Sequence, residues 1–574
     1  MHEHTTSAPV PTALGDDSSA GEAVGSGPAG TEPVGSKARR SKAGSTVAGG
    51  PPPNKGRRAM LAAAASASLV IAGAGAVVAG GSFIPRPESS RSLAAAAAAV
   101  PAGSSVGVCP GPARLLEGTE AGTDPQFSPE SSTAAASVTG TVLSASGVLP
   151  ASRLSLLDGQ TAVEIAPEPQ EPAAGAPQEL RAGTVSAHPV DQATVLSADA
   201  IGNQQASAAG IMKFTATDGD LQGLAAASCQ PPSNDQWLAG ASTTVGRSSV
   251  LVLSNVSSTP ATVGLELFGA EGQIQAPGSR GLLVAPGTTR SVVLAGLAPG
   301  EPQLSVHVRS AGGPVAATIQ QSVLRGLTPG GVDFIAPGAA PATRQVMTGV
   351  DIQEPSGVAA LTAQSGYGDA GPALMLTVPG PSDAVVEIKL YGRDGQKALP
   401  AGGVITAKAG AVTEVPLAGV PAGHYTVAAS SDVSFLAATR ITRGVKKDAP
   451  TDVAWAASGV RLGSQHVVPV PAGGVRTLVF GALESRATIT YSAITADGKV
   501  GSPASADIAG GTTATISVPD QAGGADVVGY VVSASGDAAY GALLVQQEGR
   551  NDVSAPAFLP AAAGQQTVPV TLSH

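Results

Sequence analysis

Beyond Trp237 the chain can be laid on itself, and this restricts the fold more than any other feature, because self-similarity at a fixed period marks repeated structural units. Three landmarks recur in the same order. The first, Leu265-Glu266-Leu267-Phe268-Gly269-Ala270-Glu271-Gly272-Gln273, returns as Ile388-Lys389-Leu390-Tyr391-Gly392-Arg393-Asp394-Gly395-Gln396 and more loosely from Tyr491 to Lys499. The second is Gly287-Thr288-Thr289 leading to Val292-Val293-Leu294, matched by Gly410-Ala411-Val412 and by Gly511-Thr512-Thr513, each before another apolar run. The third spans Ser310 to Thr318, Ser431 to Thr439 and Ser535 to Leu543, with small residues near each end (Ala316-Ala317, Ala437-Ala438, Gly541-Ala542). The copies are 121 to 123 residues apart at the first step and 101 to 104 at the second.

Each first landmark reads as a strand ending in an acidic residue and Gly, the chemistry of a tight hairpin turn, so Glu271, Asp394 and Asp497 are turn formers. Runs such as Val250 to Leu253, Leu304 to Val308 and Val527 to Val532 are β-branched and bounded by Gly, Pro, Ser and Asp, and helical periodicity is absent. The expectation is an all-β chain of tandem immunoglobulin-like β-sandwich repeats of roughly 100 residues. A β-propeller is the competing architecture, because half-units of about 50 residues approach blade size. The expected boundaries are a divergent first β-domain over 105–235, interrupted by a Pro- and Glu-rich insertion from Ala166 to Gln178, then repeats over 236–331, 332–446 and 447–574.

The chain has two cysteines, Cys109 and Cys229. If this part is exported, an oxidising exterior makes a disulfide the default, bracketing the first β-domain. No CxxC pair or neighbouring His points to redox chemistry instead.

Export follows from the N-terminus. Residues 1–58 are rich in Ser, Gly, Pro and Ala without apolar periodicity, and are expected to be a disordered cytoplasmic tail. Their basic residues, Lys37 to Arg58, come last. Residues 59–85 carry no charge and are long enough for the roughly 20 residues of a transmembrane helix; the basic flank places the tail in the cytoplasm. A linker over 86–104 follows. The rival reading is a signal peptide cleaved within Ala94 to Ala99, and both readings export the rest of the chain. The expected location is the cell membrane, single-pass, with the bulk outside.

A formal net charge of −10, with no basic cluster beyond the tail, excludes a general affinity for nucleic acid. The seven His residues show no metal-ligand spacing past the tail, and no cofactor motif is present. Gly103-Ser104-Ser105-Val106-Gly107 fits GxSxG but lies in an Ala- and Gly-rich linker, not at a strand-to-helix elbow. Asp218-Gly219-Asp220 could open a calcium loop, yet the later ligands are missing and a plain turn is the better reading. Asn255-Val256-Ser257 is a glycosylation sequon in form only. Trp237 and Trp455 read as core aromatics at the entry of β-units, with ligand-facing anchors as the functional alternative. No catalytic residue is assigned.

The order of basic tail, apolar span, Cys109-Pro110-Gly111-Pro112, Trp237-Leu238-Ala239-Gly240 and β-units resembles an actinobacterial family of membrane-anchored envelope proteins classed as a domain of unknown function. The resemblance implies no activity and no site residues. The functional expectation is a non-enzymatic, membrane-tethered scaffold or interaction module whose partner is an envelope protein or cell-wall polysaccharide. The alternative is a carbohydrate binder or degenerate hydrolase serving envelope polysaccharide metabolism.

Overall fold

The computed structural model describes residues 96–99, 102–116, 118–119, 128–144, 147–170, 180–400, 402–562 and 567–570. The expected tail and transmembrane span lie outside these residues, as does most of the linker. No helix among the described residues is long and apolar enough to cross a membrane.

From Ser105 onward the chain builds four units of eight principal strands each, and every unit has the same two sheets. In strand order along the chain, one sheet runs first-sixth-third-fourth and the other fifth-second-seventh-eighth. In the first unit these are Ser105–Cys109, Thr194–Ala198, Ser152–Leu156 and Thr161–Ala166, facing Ala182–Pro189, Ala135–Leu143, Ala208–Ala216 and Gly223–Ser228. The second pairs Asp235–Ala241, Leu304–Gly312, Ala261–Phe268 and Leu282–Val284 with Thr288–Val293, Arg247–Asn255, Ala316–Arg325 and Thr328–Ile335. In the third, the long strand Gly423–Arg443 serves as both sixth and seventh: its first half lies between Ala342–Ile352 and Ala384–Gly392, its second between Ala373–Thr377 and Asp452–Ala457. Val404–Ala407 and Val412–Pro416 complete these two sheets as fourth and fifth strands. The fourth unit sets His466–Pro469, Ala525–Gly536, Ala487–Thr495 and Ala504–Ile508 against Thr512–Ser517, Val475–Ala482, Ala539–Gln546 and Val553–Ser554.

Alternation drives the layering. In the second unit Leu251, Leu253, Val263, Leu265 and Leu267 point inward into one core, while their strand neighbours point outward. The sheets therefore face each other in pairs, not radially as propeller blades would. The eighth strands straddle or follow the expected boundaries: Thr328–Ile335 crosses 331/332 and Asp452–Ala457 lies beyond 446, each finishing the unit before it. Among the described residues the one α-helix, Pro355–Thr362, starts with Pro at its first turn and buries Val358 and Leu361.

The four units close into a ring. Each eighth strand packs against those of its two neighbours, so all four meet at a hub. Around the rim, the first strand of the second unit lies on the second and seventh strands of the third. The first strand of the third covers the same face of the fourth, and that of the fourth covers the first unit. Each of these joints is also hydrogen-bonded between the end of the third strand, or the turn just after it, and the next unit's fifth strand. Val412 N–H donates to Gly269 O at 2.9 Å, Thr513 Oγ1 to Tyr391 O at 2.6 Å, and Ala182 N–H to Gly498 O at 2.9 Å.

Candidate functional site

Among the described residues the two least exposed ionisable side chains, Asp333 and Asp452, both lie at the hub. Asp452, in the third unit's eighth strand, is 1% exposed and accepts four backbone N–H groups. Oδ1 takes those of Val332 (3.2 Å) and Val453 (3.0 Å), and Oδ2 those of Leu224 (3.1 Å) and Val553 (2.8 Å). One carboxylate thus joins all four units. Burial pushes this carboxyl well above the usual range against the pull of these donors, and the nearby Asp552 charge adds to the push. The approach is so close that a Cβ on Gly331 would lie 2.3 Å, and one on Gly223 2.7 Å, from Oδ1. Both glycines also hold φ in the positive range, at +109° and +151°.

Asp333, from the second unit, is a second buried acid. Its Oδ2 accepts Trp455 N–H at 2.7 Å, and its Oδ1 lies 3.0 Å from the Ser554 hydroxyl. Ser554 Oγ in turn accepts Ala226 N–H at 3.0 Å and lies 3.2 Å from Ala226 O. Burial pushes Asp333 up to about 8. A neutral Asp333 completes the network: its proton goes to Ser554 Oγ, and the Ser554 proton goes to Ala226 O. Beside these residues, the loops after the eighth strands line a cavity of about 190 Å³ floored by Asp333 and Trp455 and walled by Phe334, Pro337, Pro556 and Phe558.

The two tryptophans are both buried, 9% and 6% exposed. Trp237 stacks on His307 with centroids 3.7 Å apart, beside Phe268. Trp455 crosses into the second unit, where its indole N–H donates to Gln321 Oε1 at 2.6 Å and its ring fills the space that a Cβ on Gly240 would take. Cys109 and Cys229 form a disulfide inside the first core. Gly210 leaves room for it: a Cβ there would sit 2.7 Å from Cys229 Sγ.

The remaining motifs have structural places. Ser105 of the GxSxG match begins a strand and hydrogen-bonds Ala206 O. Asp218 accepts from the hydroxyls of Ser131, Ser132 and Thr133, which lower its pKa and clamp a turn. The Asn255 side chain is buried and donates to Thr259 O and Val284 O, so the sequon is closed. His307 lies between Glu266 (2.8 Å) and Asp235 (3.2 Å), because register sets it opposite Glu266 and Trp237. Among the described residues no group of His, Cys, Asp and Glu could hold a metal ion.

The joint from the first unit to the second differs from the other three. Here the first strand stops at Cys109, and the chain continues through Pro110, Gly111 and Pro112 to Arg114. Arg114 N–H donates to Gln320 Oε1 at 2.9 Å and Gln320 Nε2 to Arg114 O at 2.6 Å. Beside this strap lies a cleft of about 530 Å³ over Val250, Val252, Thr289, Ser291 and Val293. Among the described residues, no hydrogen bond runs from the first unit's hairpin at Leu157 to the second unit's fifth strand.

Sequence reasoning passed over the hub acids and the cleft. Asp452-Val453 and Asp552-Val553 recur 100 residues apart, within reach of the repeat period, and were the available signal for the former. The family model for a family of unknown function, DUF5719, matches residues 184–519, from the first unit's fifth strand through the fourth unit's. No curated protein and no solved structure matches the chain. The matched span is more than half the chain and holds Asp333, Asp452 and the floor of the cleft, and the chain belongs to this family of unknown function, DUF5719.

Proposed function

We propose that the protein is a non-enzymatic interaction module of a bacterial, actinobacterial-type cell envelope, tethered by residues 59–85 and holding a ring of immunoglobulin-like units outside the membrane. The observation that carries this reading is the hub: its two buried acids are wholly engaged in joining units through backbone groups and Ser554, which is scaffold chemistry. The disulfide agrees with an oxidising compartment. A polysaccharide partner would call for exposed aromatic platforms, and both tryptophans are buried, so the partner proposed is a protein. The test is capture by the immobilised full chain from solubilised envelope, with purified cell-wall polysaccharide and peptidoglycan run alongside. A stoichiometric protein partner supports the reading; saturable saccharide binding without one sinks it.

A further inference from the structure

We propose that the open joint between the first and second units is a docking cleft for an extended, uncharged polypeptide segment. This rests on the interaction-module reading and says where the partner sits. The ring itself supplies the precedent, since at the other three joints the same sheet face is covered by an extended strand of the preceding unit. There, outward residues of the second strand are sealed: Ala373 and Met375 in the third unit and, in the fourth, Val479 but not Thr477. In the second unit their counterparts Val250 and Val252 are only half-buried. On the fifth strand, Val412 and Thr513 are buried whereas the matching Thr289 is exposed.

What differs is the path after the first strand, which stops at Cys109 before Pro110 and Pro112, much as the fourth unit's first strand stops at Pro469 before Pro471. The Arg114–Gln320 clasp then holds the following segment over the seventh strand, leaving the face of the second and fifth strands uncovered among the described residues. The fifth strand, Thr288–Val293, pairs with Arg247–Asn255 alone, so its other edge offers backbone N–H and C=O groups to a guest. The guest's chemistry follows from the strands that cover the closed joints, such as Gln236-Trp237-Leu238-Ala239 and Val346-Met347-Thr348. It also follows from a lining in which Arg114 is the one charged side chain.

The probes are two fluorescein-labelled peptides, uncharged and free of Pro, copying residues 236–243 and 345–350, titrated into the full chain and read by anisotropy. At least one is expected to bind saturably, with affinity lowered 10-fold or more by Val252→Arg and by Ser291→Arg, the second at an exposed position that folding does not need. Leu327→Arg, on an exposed loop outside the cleft, is expected to change affinity less than 2-fold. A Pro placed at the centre of the binding peptide is expected to weaken it at least 10-fold. Saturable binding by neither peptide, or equal loss in all three Arg variants, overturns the cleft. Envelope-partner capture that survives Val252→Arg also overturns it while leaving the interaction-module reading intact; no capture by the native chain removes that reading instead.

Discussion

Asp452 and Asp333 are both buried acids at the hub, but their partners differ in kind. Asp452 meets four donors, so Asp452→Asn would turn an amide NH2 toward two N–H groups and leave them unpaired, at about 1–3 kcal/mol each. A drop of that size in unfolding free energy, read by denaturant titration, is expected. Asp333→Asn keeps every bond, with Nδ2 donating to Ser554 Oγ in place of the acid proton. The native Asp333 carboxyl, raised from 3.8 to about 8, contributes stability that is complete below pH 3.8 and is lost as pH rises through about 8. The loss runs at up to ~1.4 kcal/mol per pH unit. The variant is therefore expected to lack this slope and to be the more stable chain at pH 8; parallel pH curves would refute the assignment. Neither acid was legible as a hub residue, because three of the four donors around Asp452 come from strands roughly 100 residues or more distant in sequence. An Asp in an apolar strand reads as an edge position until its partners are known.

Among elements, hairpins were the most legible, since their geometry is local. Asp394 and Asp497 stand in turns, followed by Gly395 and Gly498 with φ of +106° and +80°. The same signature, Leu156-Leu157-Asp158-Gly159-Gln160, closes a hairpin in the first unit, with Gly159 at +93°. It shows that this unit is a fourth copy, although the region from Ala166 to Gln178 obscured the alignment. The disulfide pairing was also readable, two cysteines leaving a single choice. Cys109→Ser with Cys229→Ser is expected to lower stability by up to about 4–5 kcal/mol, the chain-entropy value for a loop on the order of 100 residues, measured against the oxidised native chain. What no short-range pattern reveals is how the segment around Pro355–Thr362 is fastened. Asp369 receives Arg247 through two contacts, 2.6 and 2.8 Å, and also Arg325, which lies 5.1 Å over Tyr367. Desolvation pushes Asp369 up, but the two guanidinium groups win and hold it to about 2. This contribution is complete above pH 3.8 and lost as pH falls through about 2. Asp369→Ala is expected to cost ~2 kcal/mol at neutral pH, discounted for an Asp side chain 36% exposed, and to flatten the acid limb of a thermal-stability profile.

At the scale of the whole molecule, the units were legible and the ring was not. Repeats report their own strands, but a rod and a ring of the same units differ only in whether the last touches the first. Here that contact consists of Val468 and its neighbours against Ile211, Leu224 and Ala226, a surface written in no contiguous motif. Val468→Asp, at a position 2% exposed, is expected to open this joint and raise the radius of gyration in solution scattering, whereas an unchanged radius would mean the hub alone suffices. Native 105–562 is expected to unfold in one calorimetric transition, since Asp452 binds all four units at once. Closure also separates two orders that coincide in a rod, the order of units along the chain and their order in space. Strand Ala96–Ala99 pairs with Thr567–Val570, so entry and exit of the polypeptide lie side by side. A circular permutant that fuses these ends and begins instead between the second and third units, near Pro341, would keep every hydrogen bond of the hub. The covalent path through the ring is thus one of several that the same assembly would accept.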